Sequence, residues 1–239
     1  MPSRIYYQGP LEVGIKLLLP APACQHLRQV LRLKSGEAFI LFNGTGVDFN
    51  AQLILTGRNK AEALIQNTLP QQSKSAFTLN IACAIIKNNA MDFLLQKATE
   101  LGVEKITPLL TDFCTIKQNK TILEKKQQHW LNICISAAEQ CGRSYIPQLE
   151  PIQTLNYWLD TEPNSSRILL HQAGDRKFSD KPIKNNQITL ISGPEGGFSN
   201  KELIKFKQLD YPKMRIGDYI LRAETAPLAG LALCHYLLL

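Results

Sequence analysis

The stretch Gly193-Pro194-Glu195-Gly196-Gly197-Phe198-Ser199-Asn200-Lys201-Glu202 gathers residues suited to holding a ligand by main chain alone. Glycine lets backbone amides and carbonyls approach a ligand with no side chain between them. The run follows an apolar segment at 188–191, and Ser199 with Glu202 three residues later forms a capping-box pattern that predicts a helix from Asn200. A turn from strand to helix is where α/β sheets bind ligands. A lone Gly-Gly is more often a plain tight turn, but five special residues in one turn favour a site. Neither G-x-G-x-x-G nor G-x-x-x-x-G-K-[ST] occurs, which argues against a dinucleotide cofactor and a P-loop nucleotidase.

A second stretch, Ile216-Gly217-Asp218-Tyr219-Ile220-Leu221-Arg222-Ala223-Glu224-Thr225-Ala226-Pro227, lies between a short strand expected at 213–216 and a closing helix. Thr225 is expected as the helix N-cap and Pro227 in the first turn. Taken alone, Arg222 and Glu224 read as capping and surface charge.

The elements that must position these residues show a change of texture at 69–75, a polar stretch marked by Pro70. Before it, apolar runs at 37–42 and 49–55 flank the turn signal Asn43-Gly44-Thr45-Gly46 and predict a hairpin, with a third strand at 61–67. After it, strands expected at 79–86, 106–110, up to 169–170, and 188–191 alternate with helical patterns, which predicts a largely parallel sheet. Met91, Leu94, Leu95, Ala98 and Leu101 fall at helical spacing with Gly102 as the stop, and Trp130, Ile133, Cys134, Ala137, Ala138 and Cys141 repeat the spacing. Leu228, Leu231, Ala232 and Tyr236 are expected on one face of the closing helix over 227–239, and a long polar loop is expected around Gly174-Asp175-Arg176-Lys177.

The chain has 239 residues, enough for two domains, and its 44% hydrophobic content allows a real core, which sets disorder aside. Six cysteines without a C-x-x-C pair, and four histidines apart from them, indicate buried thiols rather than a zinc site or a disulfide framework, so no metal is expected. The start has no apolar run suited to a signal peptide, and no segment approaches the roughly 18 apolar residues of a membrane span; the expected location is cytoplasmic. A formal charge of +7 suits a polyanionic partner such as nucleic acid.

Taken together, 193–199 and 216–226, with Lys87, the segment 91–103 and Ala138-Glu139-Gln140-Cys141-Gly142-Arg143, closely resemble the RsmE family of knotted SPOUT methyltransferases, which modify N3 of a uridine in small-subunit (16S) ribosomal RNA. The resemblance extends to Gln25-His26-Leu27-Arg28-Gln29-Val30-Leu31-Arg32-Leu33-Lys34-Ser35-Gly36-Glu37, which is similar to the family's PUA-like RNA-binding domain. It implies an α/β protein with a small N-terminal β-barrel, PUA-like domain over 1–72 and a SPOUT domain with a C-terminal trefoil knot over 73–239, acting as a homodimer through the knotted domain. It also implies S-adenosylmethionine as cofactor, bound at Leu170, Gly193, Gly196, Gly197, Ile216, Gly217, Leu221, Thr225 and Ala226. For this reaction Arg222 is expected to stabilise the uridine anion, and Glu224, with Glu195 behind it, to accept the proton or orient Arg222. RNA contact is expected from Arg28, Arg32, Lys34, Lys87 and Arg143, although any one of them alone reads as solvated charge. The chain departs from the family at Phe113 and Tyr219, where arginine is usual. Those departures keep in view a non-catalytic RNA-binding protein of the same fold; a second alternative is a methyltransferase acting on another RNA such as transfer RNA, since related knotted folds serve several RNA substrates.

Overall fold

A computed structural model describes residues 3–57, 60–114, 119–161, 165–175 and 183–238. The chain divides into two compact units, one of residues 1–74 with 135–146 and the other of 75–134 with 147–239.

The first unit is built on strands β1 (Arg4–Tyr6), β2 (Lys16–Leu18), β3 (Ala38–Phe42), β4 (Asp48–Leu55) and β5 (Ala61–Thr68), in the sheet order β1-β3-β4-β5-β2. The expected hairpin is β3–β4, antiparallel with Phe42 opposite Asp48, and the expected third strand is β5. A short helix α1 (Ala21–Gln25) runs into one π-helical segment, His26–Val30, which the residue pattern did not signal. Period-two alternation along β4 puts Phe49, Ala51 and Leu53 inward, where they join Leu17, Leu27, Phe39, Leu41 and Ile65. Residues 135–146 belong to this unit through polar contacts: the Tyr6 amide donates to Glu139 Oε1 at 2.8 Å, and Arg4, paired with Asp48, donates to the Arg143 carbonyl at 3.3 Å. Burial pushes the Glu139 carboxyl above its ordinary value, opposed by the Tyr6 amide and by the charges of His26 and Arg4.

The second unit holds β6 (Thr78–Ala84), α2 (Asn88–Glu100), β7 (Lys105–Leu110), the first part of α3 (Lys120–Cys141), β8 (Gln148–Leu149), β9 (Gln153–Thr154), α4 (Leu155–Asp160), β10 (Ser166–Asp175), β11 (Gln187–Ser192), α5 (Asn200–Gln208), β12 (Lys213–Met214) and α6 (Thr225–Leu238). Its strands pair in parallel in the order β12-β10-β11-β6-β7-β8, with β9 also on β7. Alternation along β11 separates two layers. Ile191 joins Leu155, Trp158, Leu159, Phe198 and Phe206 under α4 and α5, while Leu190 lies under Gly230 of α6. Near-continuous burial of β6 and β11 is what a parallel sheet covered on both faces requires.

Four expectations change. The strand expected to end at Leu170 continues to Asp175 after an irregularity, so Gly174 and Asp175 are strand rather than loop; Arg176 and Lys177 lie outside the described residues. The strand expected at 213–216 is only Lys213–Met214. The closing helix buries Pro227, Gly230, Leu231 and Cys234, and leaves Tyr236 86% exposed, because Gly230 is the point of closest approach to the sheet and sets the rotation of α6. Cys141, expected in the core with Cys134, is only partly buried, as is Cys114. Burial holds the Cys83 thiol at about 12 and Cys234 at about 11, so both stay protonated. Among the described residues there is no cluster of metal-ligating side chains, and no helix is long and apolar enough to cross a membrane.

Candidate active site

Parallel pairing places the carboxyl ends of β6, β7, β10, β11 and β12 along one edge of the sheet. The segments leaving that edge are 85–87, 111–114, the tail of β10, 193–199 and 215–224, so the two ligand-binding stretches read from the sequence lie at one rim, the usual ligand position in such sheets.

The glycine turn is held by packing and hydrogen bonds on both sides. Gly197 adopts φ +72°, a conformation that favours glycine, and its amide donates to the Pro194 carbonyl at 2.9 Å. A Cβ on Gly193 would stand 3.0 Å from the Phe198 ring, which packs edge-on to Phe206 with centroids 4.9 Å apart. The capping box is formed: the Glu202 amide donates to Ser199 Oγ and the Ser199 amide to Glu202 Oε2. Glu202 is only 5% exposed and its other oxygen accepts the Asp112 amide at 3.0 Å, while Ser199 Oγ donates to Asp112 Oδ2. One carboxylate thus ties the glycine turn to the segment after β7. That link is invisible in the sequence, where Glu202 signals only a cap. Glu202→Ala is expected to lower stability by about 2 kcal/mol, because a cap and a buried amide lose their acceptor together; a urea-unfolding midpoint equal to wild type would contradict it.

Glu195, a sequence candidate for the proton chemistry, is placed differently. Its Oε1 accepts the Lys87 amide at 3.1 Å, and Lys87 is the N-cap of α2, with no side-chain cap of its own. Glu195 therefore satisfies the entry to α2 and benefits from the positive end of its dipole. Phe113 is 51% exposed beside Gly196.

On the other side of the rim, Leu170, Leu190 and Ile216 converge beneath Gly230. The Arg215 amide donates to the Asp175 carbonyl at 2.8 Å, anchoring 215–224 to β10. Among the described residues, the main-chain groups of Gly217, Ile220 and Leu221 have no hydrogen-bond partner in the protein. Unpaired backbone donors and acceptors in a partly exposed loop are the groups that can read the edge of a planar heterocycle. Beyond them the Arg222 carbonyl accepts both the Thr225 and Ala226 amides, closing the turn into α6; Thr225 is the first helical residue and not the cap. The Arg222 side chain is 86% exposed and its Nη1 stands 4.0 Å from Oε1 of Glu224, whose side chain is 16% exposed. The pair offers an exposed cation and a sheltered carboxylate.

His171, one residue beyond Leu170, escaped the sequence reading because a lone histidine carries no motif. Its Nδ1 accepts the Ala173 amide at 3.1 Å, so the neutral ring carries its proton on Nε2. Burial, then the charge of Lys213, lowers its pKa from the ordinary 6.5. The unfolded chain takes up that proton first, so the stability gained from neutral His171 is complete above 6.5 and is lost as pH falls below it. Unfolding midpoints measured between pH 7.5 and 5 should fall more for wild type than for His171→Asn, whose amide oxygen keeps the Ala173 bond without titrating; identical pH profiles would refute this.

Of the expected RNA-contacting cations, Lys87 is exposed in the second unit, while Arg32 and Lys34 are exposed in the first. Arg28 is half-buried and donates to the Gly57 carbonyl at 2.7 Å. Arg143 does not fit a solvent-facing contact, since it is only 9% exposed within the polar cluster around Arg4.

Comparison with known proteins agrees with this arrangement. Residues 73–235 match the RNA methyltransferase domain family and residues 21–66 the RNA methyltransferase PUA domain family. The chain is 32% identical to ribosomal RNA small subunit methyltransferase E of Rickettsia conorii, over 96% of this chain and 93% of that protein. It is 31% identical to the protein of the same name from Buchnera aphidicola subsp. Schizaphis graminum, over 95% and 93%. The crystal structure of a ribosomal RNA small subunit methyltransferase E from Neisseria gonorrhoeae bound to S-adenosyl methionine superposes with a TM-score of 0.90 at 32% identity, over 99% and 98% of the two chains. With both units matched and both loop clusters at one rim, the chain belongs to the ribosomal RNA small subunit methyltransferase E (RsmE) family of RNA methyltransferases.

Proposed function

We propose that this protein transfers a methyl group from S-adenosylmethionine to N3 of a uridine in 16S ribosomal RNA. The observation that carries the reading is the main chain of Gly217, Ile220 and Leu221, without a hydrogen-bond partner among the described residues, shortly before the exposed Arg222 and the sheltered Glu224. The cofactor's adenine fits that main chain, and Leu170, Gly193, Gly196, Gly197, Ile216, Gly217, Leu221, Thr225 and Ala226 form its site. When bound, the cofactor supplies a methyl group already activated on a sulfonium.

The protein's share is placement and charge. Holding the base at attack distance provides most of the acceleration. The Arg222 guanidinium, free of a close partner, turns toward the uridine carbonyl oxygens and stabilises the charge left as N3 loses its proton. Glu224 accepts that proton at its carboxylate or orients Arg222; Glu195 serves the fold of the rim instead. With Arg222 and Glu224 both present, the catalytic reading is favoured over a binding protein of the same fold.

The domains divide at 72/73, with RNA held by Arg28, Arg32 and Lys34 of the small domain and by Lys87 of the large one. The strand order β12-β10-β11 supports the C-terminal trefoil crossing, since the chain passes β10 on its way from β11 to β12. A homodimer through this domain accounts for Leu233, Tyr236 and Leu237 of α6 and for Tyr219 and Ile220, apolar residues between 41% and 87% exposed. Sedimentation should show a dimer, and Tyr236→Glu should shift it to monomer by at least tenfold in dissociation constant, a single desolvated carboxylate being sufficient; a monomeric wild type would defeat the proposal.

The function is tested by mapping N3-methyluridine in 16S ribosomal RNA from cells with and without the protein, and by transfer of labelled methyl to small subunits from the deletion strain. Loss of one mark and its restoration in vitro are expected. An unchanged map with label entering transfer RNA would replace the substrate.

A further inference from the structure

The face of α4 and α5 turned away from the sheet is unlike the rim, and the reaction uses none of it. In α4, Leu155, Trp158 and Leu159 are buried, which leaves Asn156, Tyr157 and Asp160 outward; Tyr157 is 65% exposed. Its ring takes no part in the aromatic cluster of Phe198, Phe206 and Tyr211 behind it. In α5 the buried residues Glu202 and Phe206 fix the inward face, so the helical period sets Lys201, Ile204, Lys205 and Gln208 on the opposite stripe. Ile204 is 57% exposed. The two helices are joined across this face by Lys205 Nζ, which donates to Asn156 Oδ1 at 2.8 Å and so brings the lysine stripe to the residue beside Tyr157.

On α5 the outward charge is positive throughout, while α4 ends on the exposed carboxylate of Asp160, which leaves the face positive on balance. The only carboxylate within α5 is Glu202, which is buried and committed to the capping box and to Asp112, whereas Lys201, Lys205 and Lys207 remain. An exposed ring beside a row of ammonium groups fits a chain of alternating phosphates and flat bases. A protein docking site of this size would more often pair a larger apolar centre with both charge signs.

We propose that the α4–α5 face is a second RNA-binding surface, on which a single-stranded nucleotide of the ribosomal RNA substrate stacks on Tyr157 while Lys201 and Lys205 neutralise its flanking phosphates. This rests on the RNA reading given above and extends it to a surface away from the rim where the sheet strands end. It gives the enzyme a hold on RNA that is independent of the target base, of the kind used by proteins that track single strands with aromatic platforms and cations.

The test measures binding of the full-length protein to a naked 16S ribosomal RNA transcript and to purified small subunits, across a range of potassium chloride concentrations. Tyr157→Ala is expected to weaken transcript binding on the order of tenfold, while Tyr157→Phe, which keeps the stacking face, stays within twofold of wild type. The pair Lys201→Ala and Lys205→Ala is expected to reduce the slope of log K against log salt by about 1.4, two phosphates at about 0.7 each. Calorimetric affinity for S-adenosylmethionine and the melting temperature should match wild type in all three, since none of these side chains is in the core or at the rim. Transcript affinities and salt slopes equal to wild type would overturn the proposal. So would a loss seen only with intact subunits, which would make the partner a ribosomal protein. A wild-type protein without salt-dependent transcript binding would instead bring down the RNA reading itself.

Discussion

Arg222→Ala should leave a folded protein that binds S-adenosylmethionine normally and transfers methyl groups about 10²–10³ times more slowly, the usual cost of removing one preorganised donor aimed at developing charge. The side chain is 86% exposed and its ion pair with Glu224 is at the long distance of 4.0 Å, so the fold gains almost nothing from it. The main-chain carbonyl of the same residue, which closes the turn into α6, survives the substitution. Structure and chemistry are therefore separable at this position. Single-turnover rates with saturating RNA, alongside calorimetry for the donor, make the measurement. A slow variant with intact donor binding supports the assignment; normal turnover with normal RNA affinity removes Arg222 from the mechanism. Arg222→Lys should recover only part of the loss, because a point charge cannot bridge two carbonyl oxygens as a planar fork does.

Gly174→Ala should be the most damaging single methyl group in the second unit. A Cβ there would lie 2.7–2.8 Å from backbone atoms of Lys213 and Met214, and no side-chain rotation can relieve a clash with main chain. Strands β10 and β12 would have to part, and with them the Arg215 to Asp175 bond that anchors the 215–224 segment. A loss of about 2–3 kcal/mol is expected, in the range for overpacking a rigid site. Affinity for S-adenosylmethionine should fall at least tenfold, because the main chain of Gly217, Ile220 and Leu221 would no longer be held against β10. Gly230→Ala provides the control: its Cβ would meet the end of the Leu190 side chain at 2.8 Å, which can turn aside, so its effect should be clearly smaller. Equal melting temperatures for the two variants would show that the β10–β12 contact is not what holds the loop.

These two positions mark the boundary of what the sequence discloses. Arg222 could be named from its place in a stretch whose order, Ile-Leu-Arg-Ala-Glu-Thr, is contiguous in the chain. Gly174 could be seen only as part of a polar loop, because its partner is main chain 39 and 40 residues further on. The same division runs through Glu202. Its capping box is local, spans four residues and was readable; its bond to the Asp112 amide joins segments 90 residues apart and was not. Glu195 and Arg143 show the converse limit. Both are polar residues in a motif that resembles a site, yet one caps α2 and the other is buried around Arg4.

The order of residues by itself determined the strand-helix alternation, the glycine turn with its helix start, the absence of a nucleotide fingerprint and the motif set that resembles the family, since all of these depend on neighbours within a few positions. The tertiary structure alone decided which main-chain groups of Gly217, Ile220 and Leu221 stay without a partner among the described residues, which carboxylates are used up by the fold, and which face of α6 meets the sheet. Those outcomes follow from where distant strands come to rest against one another: a hydrogen bond or a close approach at 2.7 Å is set by the position of two backbones in space, and no local pattern of residue types encodes it.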